Sequence, residues 1–314
     1  MRITIFLFII VMALSSCSRN TPQTEPKPNT EPSVSLPKFN GTASYAALRA
    51  QTDFGPRTPL SKGHDACLAY LTTELGKYAE TVAKQPFTEK GYDGETLPLT
   101  NVFASFNKQA SKRVLLLAHW DTRPRADQDP LESNRSKPIL GANDGASGVA
   151  VLLELARTMK QNPPPVGVDI LLVDGEDYGK SSDLEKYFLG AKFFAKHMPS
   201  GYKPLFGILL DMIGDADLRI PMEQNSMTFA PAVVGMVWSA AQELGITQFV
   251  SVPGDQIEDD HLALNQAGIP TIDLIDFQYP YWHTVADTPD KCSAESLEAV
   301  GRVLVNVIYT KAGK

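Results

Sequence analysis

Residues 168–177 read Val-Asp-Ile-Leu-Leu-Val-Asp-Gly-Glu-Asp, an apolar run that ends in a knot of acids. A short run of this kind, closed by a turn signal, is the mark of a strand buried on both faces. The pattern recurs on either side of it. Residues 101–106, 114–118, 206–211 and 271–275 are further strand-like runs. Between them lie stretches with helical spacing, at 67–78, 148–159, 232–244 and 294–309. The stretch at 148–159 (GVAVLLELARTM) follows Asn143-Asp144-Gly145, a turn and helix-start signal. Apolar strands separated by helices predict an α/β fold: a single three-layer domain with a mixed, mostly parallel central sheet flanked by helices.

In such sheets ligands bind beyond the carboxyl ends of the strands. The polar residues of interest fall there. His119 and Asp121 follow one strand, Asp174 to Asp177 follow the next, and Asp211 ends a third. His283 lies in the loop after a fourth, and Asp144 opens a helix.

The composition, 43% hydrophobic and 21% charged in 314 residues, is globular and leaves ample chain for a large core. The net charge of −7 is scattered, with no basic stripe, which argues against a nucleic-acid partner. No linker or repeat interrupts residues 40–314, so these are expected to form one domain.

The N-terminus reads differently. Arg2 precedes an apolar run at 3–14, shorter than the roughly 20 residues of a membrane span. It ends in Leu14-Ser15-Ser16-Cys17, which resembles a bacterial lipoprotein cleavage box. Residues 1–16 are therefore expected to be a lipoprotein signal peptide and Cys17 the lipidated residue. Residues 17–39, rich in Pro, Thr, Glu and Asn, are expected to form a disordered membrane tether. This places the domain on the periplasmic side of a membrane, the outer rather than the inner because Ser18 follows Cys17. Cys67 and Cys292 remain, either as a disulfide or as two separate thiols.

Asp144, Asp177 and His283 would give zinc two carboxylates, one imidazole and an open position for substrate. Glu176 stands beside Asp177. Neighbouring side chains at a strand end can diverge, so one can bind metal while the other faces substrate as a general acid/base.

The ordered set of motifs carries a family resemblance. His119-Trp120-Asp121, Gly141-Ala142-Asn143-Asp144-Gly145-Ala146-Ser147-Gly148, Asp174-Gly175-Glu176-Asp177, Leu210-Asp211-Met212-Ile213-Gly214 and Trp282-His283-Thr284 resemble the zinc aminopeptidase superfamily. Within it, Phe54-Gly55-Pro56-Arg57, Glu258-Asp259-Asp260-His261 and the Trp before His283 look like the glutaminyl cyclase branch. His119-Trp120-Asp121-Thr122-Arg123-Pro124 is similar to the bacterial cyclases in particular. The resemblance implies one zinc per chain on Asp144, Asp177 and His283, with Glu176 as general acid/base. It implies a hydrogen-bonded pair of Asp211 and Asp259 beside Glu176, and Trp282 as a wall of the substrate pocket. Asp177 stands where animal cyclases and many aminopeptidases have Glu, one methylene longer. The implied activity is cyclisation of N-terminal glutamine in peptides or proteins to pyroglutamate, with release of ammonia.

Alternatives stay open. In a two-zinc aminopeptidase, His119 and Asp211 would hold a second metal, with Asp144 bridging; in a cyclase, His119 would instead orient Asp144 or a loop. Asp260 and His261 are candidates for a second metal or for a supporting place behind the ligands. A non-catalytic surface lipoprotein would be expected to lack a key carboxylate or ligand, and none is missing. His64 reads as a cap or packing residue, and His197 as an exposed residue at a helix end. Tyr279 and Tyr281 read as pocket rim or loop aromatics.

Overall fold

The computed structural model describes residues 36–180 and 183–314. The expected signal peptide, Cys17 and the tether up to residue 35 lie outside the described residues. The helices in chain order are α1 (Gly41–Thr52), α2 (Lys62–Tyr78), α3 (Ala146–Gln161), α4 (Leu189–Lys196), α5 (Gln224–Phe229), α6 (Pro231–Glu243), α7 (Asp260–Gln266) and α8 (Ala294–Asn306). The strands are β1 (Thr81–Lys90), β2 (Thr96–Phe106), β3 (Arg113–His119), β4 (Gly167–Val173), β5 (Gly207–Asp211), β6 (Ile220–Met222), β7 (Phe249–Pro253) and β8 (Thr271–Ile275).

Six strands form the central sheet in the order β1-β2-β4-β3-β5-β8. The pairs β3–β4, β3–β5 and β5–β8 are parallel, while β1–β2 and β2–β4 are antiparallel. The sheet is thus mixed, with its parallel part where the site residues were expected. Strands β6 and β7 pair separately.

Alternation along β3 shows why its sequence is apolar throughout. Val114, Leu116 and Ala118 join the core that holds Leu48 of α1, Leu71 of α2, Val149 of α3 and Val300 of α8. Leu115 and Leu117 point the other way, against Phe194 of α4 and Leu264 of α7. The strand is covered on both faces, as a parallel sheet requires. Each fully buried leucine contributes about 1.5–3 kcal/mol relative to exposure. Edge strand β1 lacks this signature: of its side chains only Phe87 is buried, and it carries Pro86.

Helix α3 is the most enclosed of the helices and crosses β5 at Gly148. A Cβ there would come within 2.2 Å of the Leu210 carbonyl oxygen. The glycine lets the helix backbone lie directly on the strand that ends in Asp211, which fixes the height of α3's N-terminus and hence of Asp144.

The expected domain boundary at residue 40 is too late. Leu36 packs on the core and Phe39 is buried against Gly301 of α8. Asn40 then caps α1, its side chain accepting from Ala43 N. An isolated apolar residue in a polar segment carries no periodic signal. Cys67 and Cys292 are free, buried thiols, which settles their pairing as none. Burial pushes the Cys67 thiol up to about 12. Among the described residues, no helix is long and apolar enough to cross a membrane.

Candidate active site

The carboxyl ends of β3, β4, β5 and β8 bring the expected residues together. Asp144, Glu176, Asp177, Asp211, Asp259, Trp282 and His283 all line one pocket. His119 ends β3 just beneath it, 1% exposed.

The first three ligand candidates converge. His283 Nε2 lies 3.2 Å from Asp177 Oδ2 and 3.6 Å from Asp144 Oδ2. Both oxygens are buried and have no hydrogen-bond partner. Atoms bound about 2.0–2.1 Å from a tetrahedral zinc stand about 3.3 Å from one another. The spacing, the donor types and the two unpartnered oxygens fit a zinc ion, with room for a further ligand. A second group, His119, Asp144 and Asp211, also has metal-ligand spacing. There His119 Nε2 stands 3.1 Å from both Asp144 Oδ1 and Asp211 Oδ1, and its hydrogen bond to Asp211 satisfies both partners without an ion.

Charge is strongly perturbed here. Burial, then the charge of Asp177, holds the Glu176 carboxyl well above its ordinary pKa. Asp259 is likewise raised well above the carboxylate range, by burial and then by Asp211. Burial also favours neutral Asp177, but Arg123 and His283 outweigh it and hold this carboxyl below its usual value. Burial opposes charge on His119, yet the surrounding carboxylates of Asp121, Asp144 and Asp211 prevail and raise its pKa. The neighbourhood favours cations: a metal, or an amine brought by substrate.

Each reactive residue is held from behind. Asp121 accepts from Glu176 N at 3.1 Å and Asp177 N at 3.4 Å, fixing the turn after β4. Asp287 accepts from Asn143 N at 2.9 Å and Asp144 N at 3.2 Å, and is itself held by Tyr279 Oη at 2.8 Å. Buried Arg57 donates to the carbonyls of Trp120, Leu140 and Gly141, bracing the loop that leads to Asp144. His283 has φ 53°, a left-handed backbone that costs about 1–3 kcal/mol and is typical of functional sites. Gly145 lies flat on His119, where a Cβ would fall 2.3 Å from Nε2. Trp120 and Asp121, the next two residues after His119, are fully buried as well.

The model of Peptidase family M28 matches residues 101–308, which span the sheet and the whole site. The chain belongs to peptidase family M28. Two solved structures from Bacteroides thetaiotaomicron superpose over 88% of this chain and 99% of their own. One is a glutaminyl cyclase bound to N-acetylhistamine, 40% identical with a TM-score of 0.85. The other, 42% identical with a TM-score of 0.86, is named a leucine aminopeptidase precursor. The glutaminyl-peptide cyclotransferase-like protein of Mus musculus is 28% identical over 278 residues, covering 79% of this chain and 70% of its own. The M28 chain is thus a homologue of glutaminyl-peptide cyclotransferases on a zinc aminopeptidase-like fold.

Other expected residues separate from the pocket of this M28 site. Asp260 and His261 start α7, fully buried, and belong to neither ligand group. His261 Nε2 stands 3.5 Å from Glu223 Oε2. His64 stacks on Trp120 and pairs with Asp174 Oδ1 at 2.8 Å, so it is a packing residue with a specific partner. His197 is the exposed C-cap of α4. Tyr279 supports Asp287, while Tyr281 packs on Tyr279 outside the pocket. Sequence reasoning gave no role to Arg57, Arg123, Asp127 or Asp287. Arg57 and Arg123 stand inside the recognised motifs, which was the available signal.

Proposed function

We propose that this M28 protein is a glutaminyl-peptide cyclotransferase acting on peptides or proteins with N-terminal glutamine. The observation that carries the reading is the single pocket in which Glu176, Asp211, Asp259 and Trp282 surround the Asp144–Asp177–His283 cradle. Homology to named glutaminyl cyclases supports it.

In this reading one zinc ion is held by Asp144, Asp177 and His283. When bound, zinc supplies Lewis acidity toward the γ-carbonyl oxygen of the glutamine. The neutral α-amine of the same residue attacks the γ-carbon, forming the ring C–N bond as the bond to the amide nitrogen breaks. Glu176 takes the proton that the α-amine loses and delivers it to the departing nitrogen, so ammonia leaves and no water is consumed. Its raised proton affinity suits both halves of that transfer. Asp259 and Asp211 are not hydrogen-bonded to each other, Asp211 Oδ1 pairing with His119 instead, but both line the pocket and their oxygens hold the amine or the leaving nitrogen. Trp282 provides a flat wall that keeps the side chain folded back on itself, the near-attack geometry an intramolecular reaction needs.

Incubation of the purified protein with a glutamine-starting peptide tests this. Pyroglutamate and ammonia should form, and a chelator should abolish both. The His119–Asp144–Asp211 spacing favours a second reading, a two-zinc aminopeptidase. Two tightly bound zincs together with release of free amino acids would replace the cyclase reading by that one.

The location belongs to the same proposal: an exported lipoprotein on the periplasmic face, at the outer rather than the inner membrane, anchored through Cys17. It rests on Leu14-Ser15-Ser16-Cys17 and the Pro-rich stretch behind it. Cys17→Ser should move the protein from the membrane to the soluble fraction; retention in the membrane would refute the anchor.

A further inference from the structure

The loop after β3 contains an ion-pair chain that touches two of the three ligand candidates at once. Arg123 is 1% exposed. Its Nη1 donates to Asp177 Oδ1 at 2.6 Å and to the Asp177 carbonyl oxygen at 3.3 Å. Its Nε and Nη2 grip Asp127 in a two-point fork at 2.8 and 2.6 Å. Tyr187 Oη takes a further bond from Nη2 at 2.9 Å. Asp127 Oδ1 in turn stands 3.6 Å from His283 Nδ1, a buried nitrogen with no hydrogen-bond partner. The loop also holds the His283 backbone, since Gln128 N donates to the His283 carbonyl at 3.2 Å and Asp129 accepts from Val285 N at 3.1 Å.

We infer that Arg123 and Asp127 are positioning residues that set how Asp177 and His283 present their donor atoms to the metal. The inference rests on the zinc reading above and extends it to residues outside the ligand set. A carboxylate can bind metal through one oxygen or two. Arg123 occupies Asp177 Oδ1 and leaves Oδ2, the atom nearest His283 Nε2, as the free donor. Asp177 is therefore held to one-oxygen ligation. The grip on its own carbonyl fixes the reach of this side chain, one methylene shorter than glutamate.

The same loop faces the imidazole of His283. A histidine that gives Nε2 to a metal carries its proton on Nδ1, and the partner of that N–H orients the ring. Asp127 is the carboxylate that faces Nδ1. Because Asp127 and Asp177 share one guanidinium, the two ligands are set relative to each other by a rigid planar fork, which lysine cannot reproduce.

Zinc affinity measured by competition with a chelator, alongside the visible bands of the cobalt(II)-substituted protein, tests the inference. Asp127→Asn should bind zinc about 10- to 100-fold more weakly, as loss of a ligand's outer partner does. Its cobalt bands should shift, while the melting temperature of the metal-free protein stays near that of the parent. Arg123→Lys should show the same changes, and if its removal from the buried site prevents folding, Asp127→Asn alone decides. Zinc affinity within about twofold of the parent and unaltered cobalt bands in Asp127→Asn would overturn the inference while leaving the zinc site itself in place. Failure of the parent protein to bind zinc would overturn the reading on which it rests.

Discussion

The indole of Trp282 lies over the imidazole of His283, with ring centroids 3.9 Å apart and 26° between the planes. One face of the indole steadies a ligand candidate while the same side chain lines the pocket. Trp282→Ala should therefore lower kcat/KM by about tenfold or more, a loss of about 1.4 kcal/mol in transition-state binding. Bound zinc should remain, since the ligand set is intact, and Trp282→Phe should recover part of the loss. Steady-state kinetics with metal analysis checks this. Unchanged kcat/KM in the alanine variant would remove the indole from substrate recognition.

Glu176→Gln keeps the size of the side chain and removes its proton chemistry. The variant should retain zinc and lose about 10²- to 10⁴-fold in kcat, the usual contribution of a placed acid/base. Cyclisation at the parental rate would exclude Glu176 as the proton carrier.

Glu223 ties the segment that carries Asp259 to α5. It accepts from the backbone of Asn225, Ser226 and Ile257 and faces His261. Burial alone would raise its pKa, but His261 and these backbone donors outweigh burial and hold the carboxyl at about 2. An unfolded glutamate titrates at about 4.3. The folded value is the lower, so the stabilisation is complete above about 4.3 and is lost as pH falls toward about 2. A depression of this size corresponds to about 3 kcal/mol. Urea midpoints should show Glu223→Gln clearly weaker than the parent at neutral pH, with the gap narrowing as pH drops through that window. A gap independent of pH would show that the carboxylate's charge contributes nothing.

Two glycines in helices should respond in opposite directions. At Gly148 a Cβ meets the Leu210 carbonyl, so Gly148→Ala should destabilise by about 1–3 kcal/mol. Around Gly76 of α2 there is nothing within 4 Å, so Gly76→Ala should stabilise by about 0.5–1 kcal/mol through helix propensity. Thermal unfolding of both variants suffices; equal effects would mean that α3 does not rest on β5 as described.

The legible part of the fold is the part buried on both faces. The runs at 101–106, 114–118, 168–173, 206–211 and 271–275 all fall on strands of the central sheet, with only Phe206 standing one residue before β5, because continuous burial leaves a continuous apolar signature. Strand β1 was missed since it is an edge strand, mostly solvent-facing and interrupted by Pro86. Helices α4, α5 and α7 were missed because they are short, and so was α1, whose sequence has little amphipathic contrast.

Similar logic applies to the site. Asp144, Asp177 and His283 could be read from the chain because polar residues at the ends of apolar strands must share one edge. The residues behind them could not. Asp287 reaches Asn143 and Asp144 across more than half the domain's chain, and Asp127 faces His283 only through the packing of two loops. Such pairings leave no spacing to detect.

The contact of Gly145 with His119 has a wider meaning than the placing of one ring. A side chain at 145 would have to push the imidazole aside, and that imidazole reaches both Asp144 and Asp211. One missing methyl group therefore keeps in register two carboxylates delivered by different elements, a helix start and a strand end. The molecule leaves no bulk at the joint where those two elements meet.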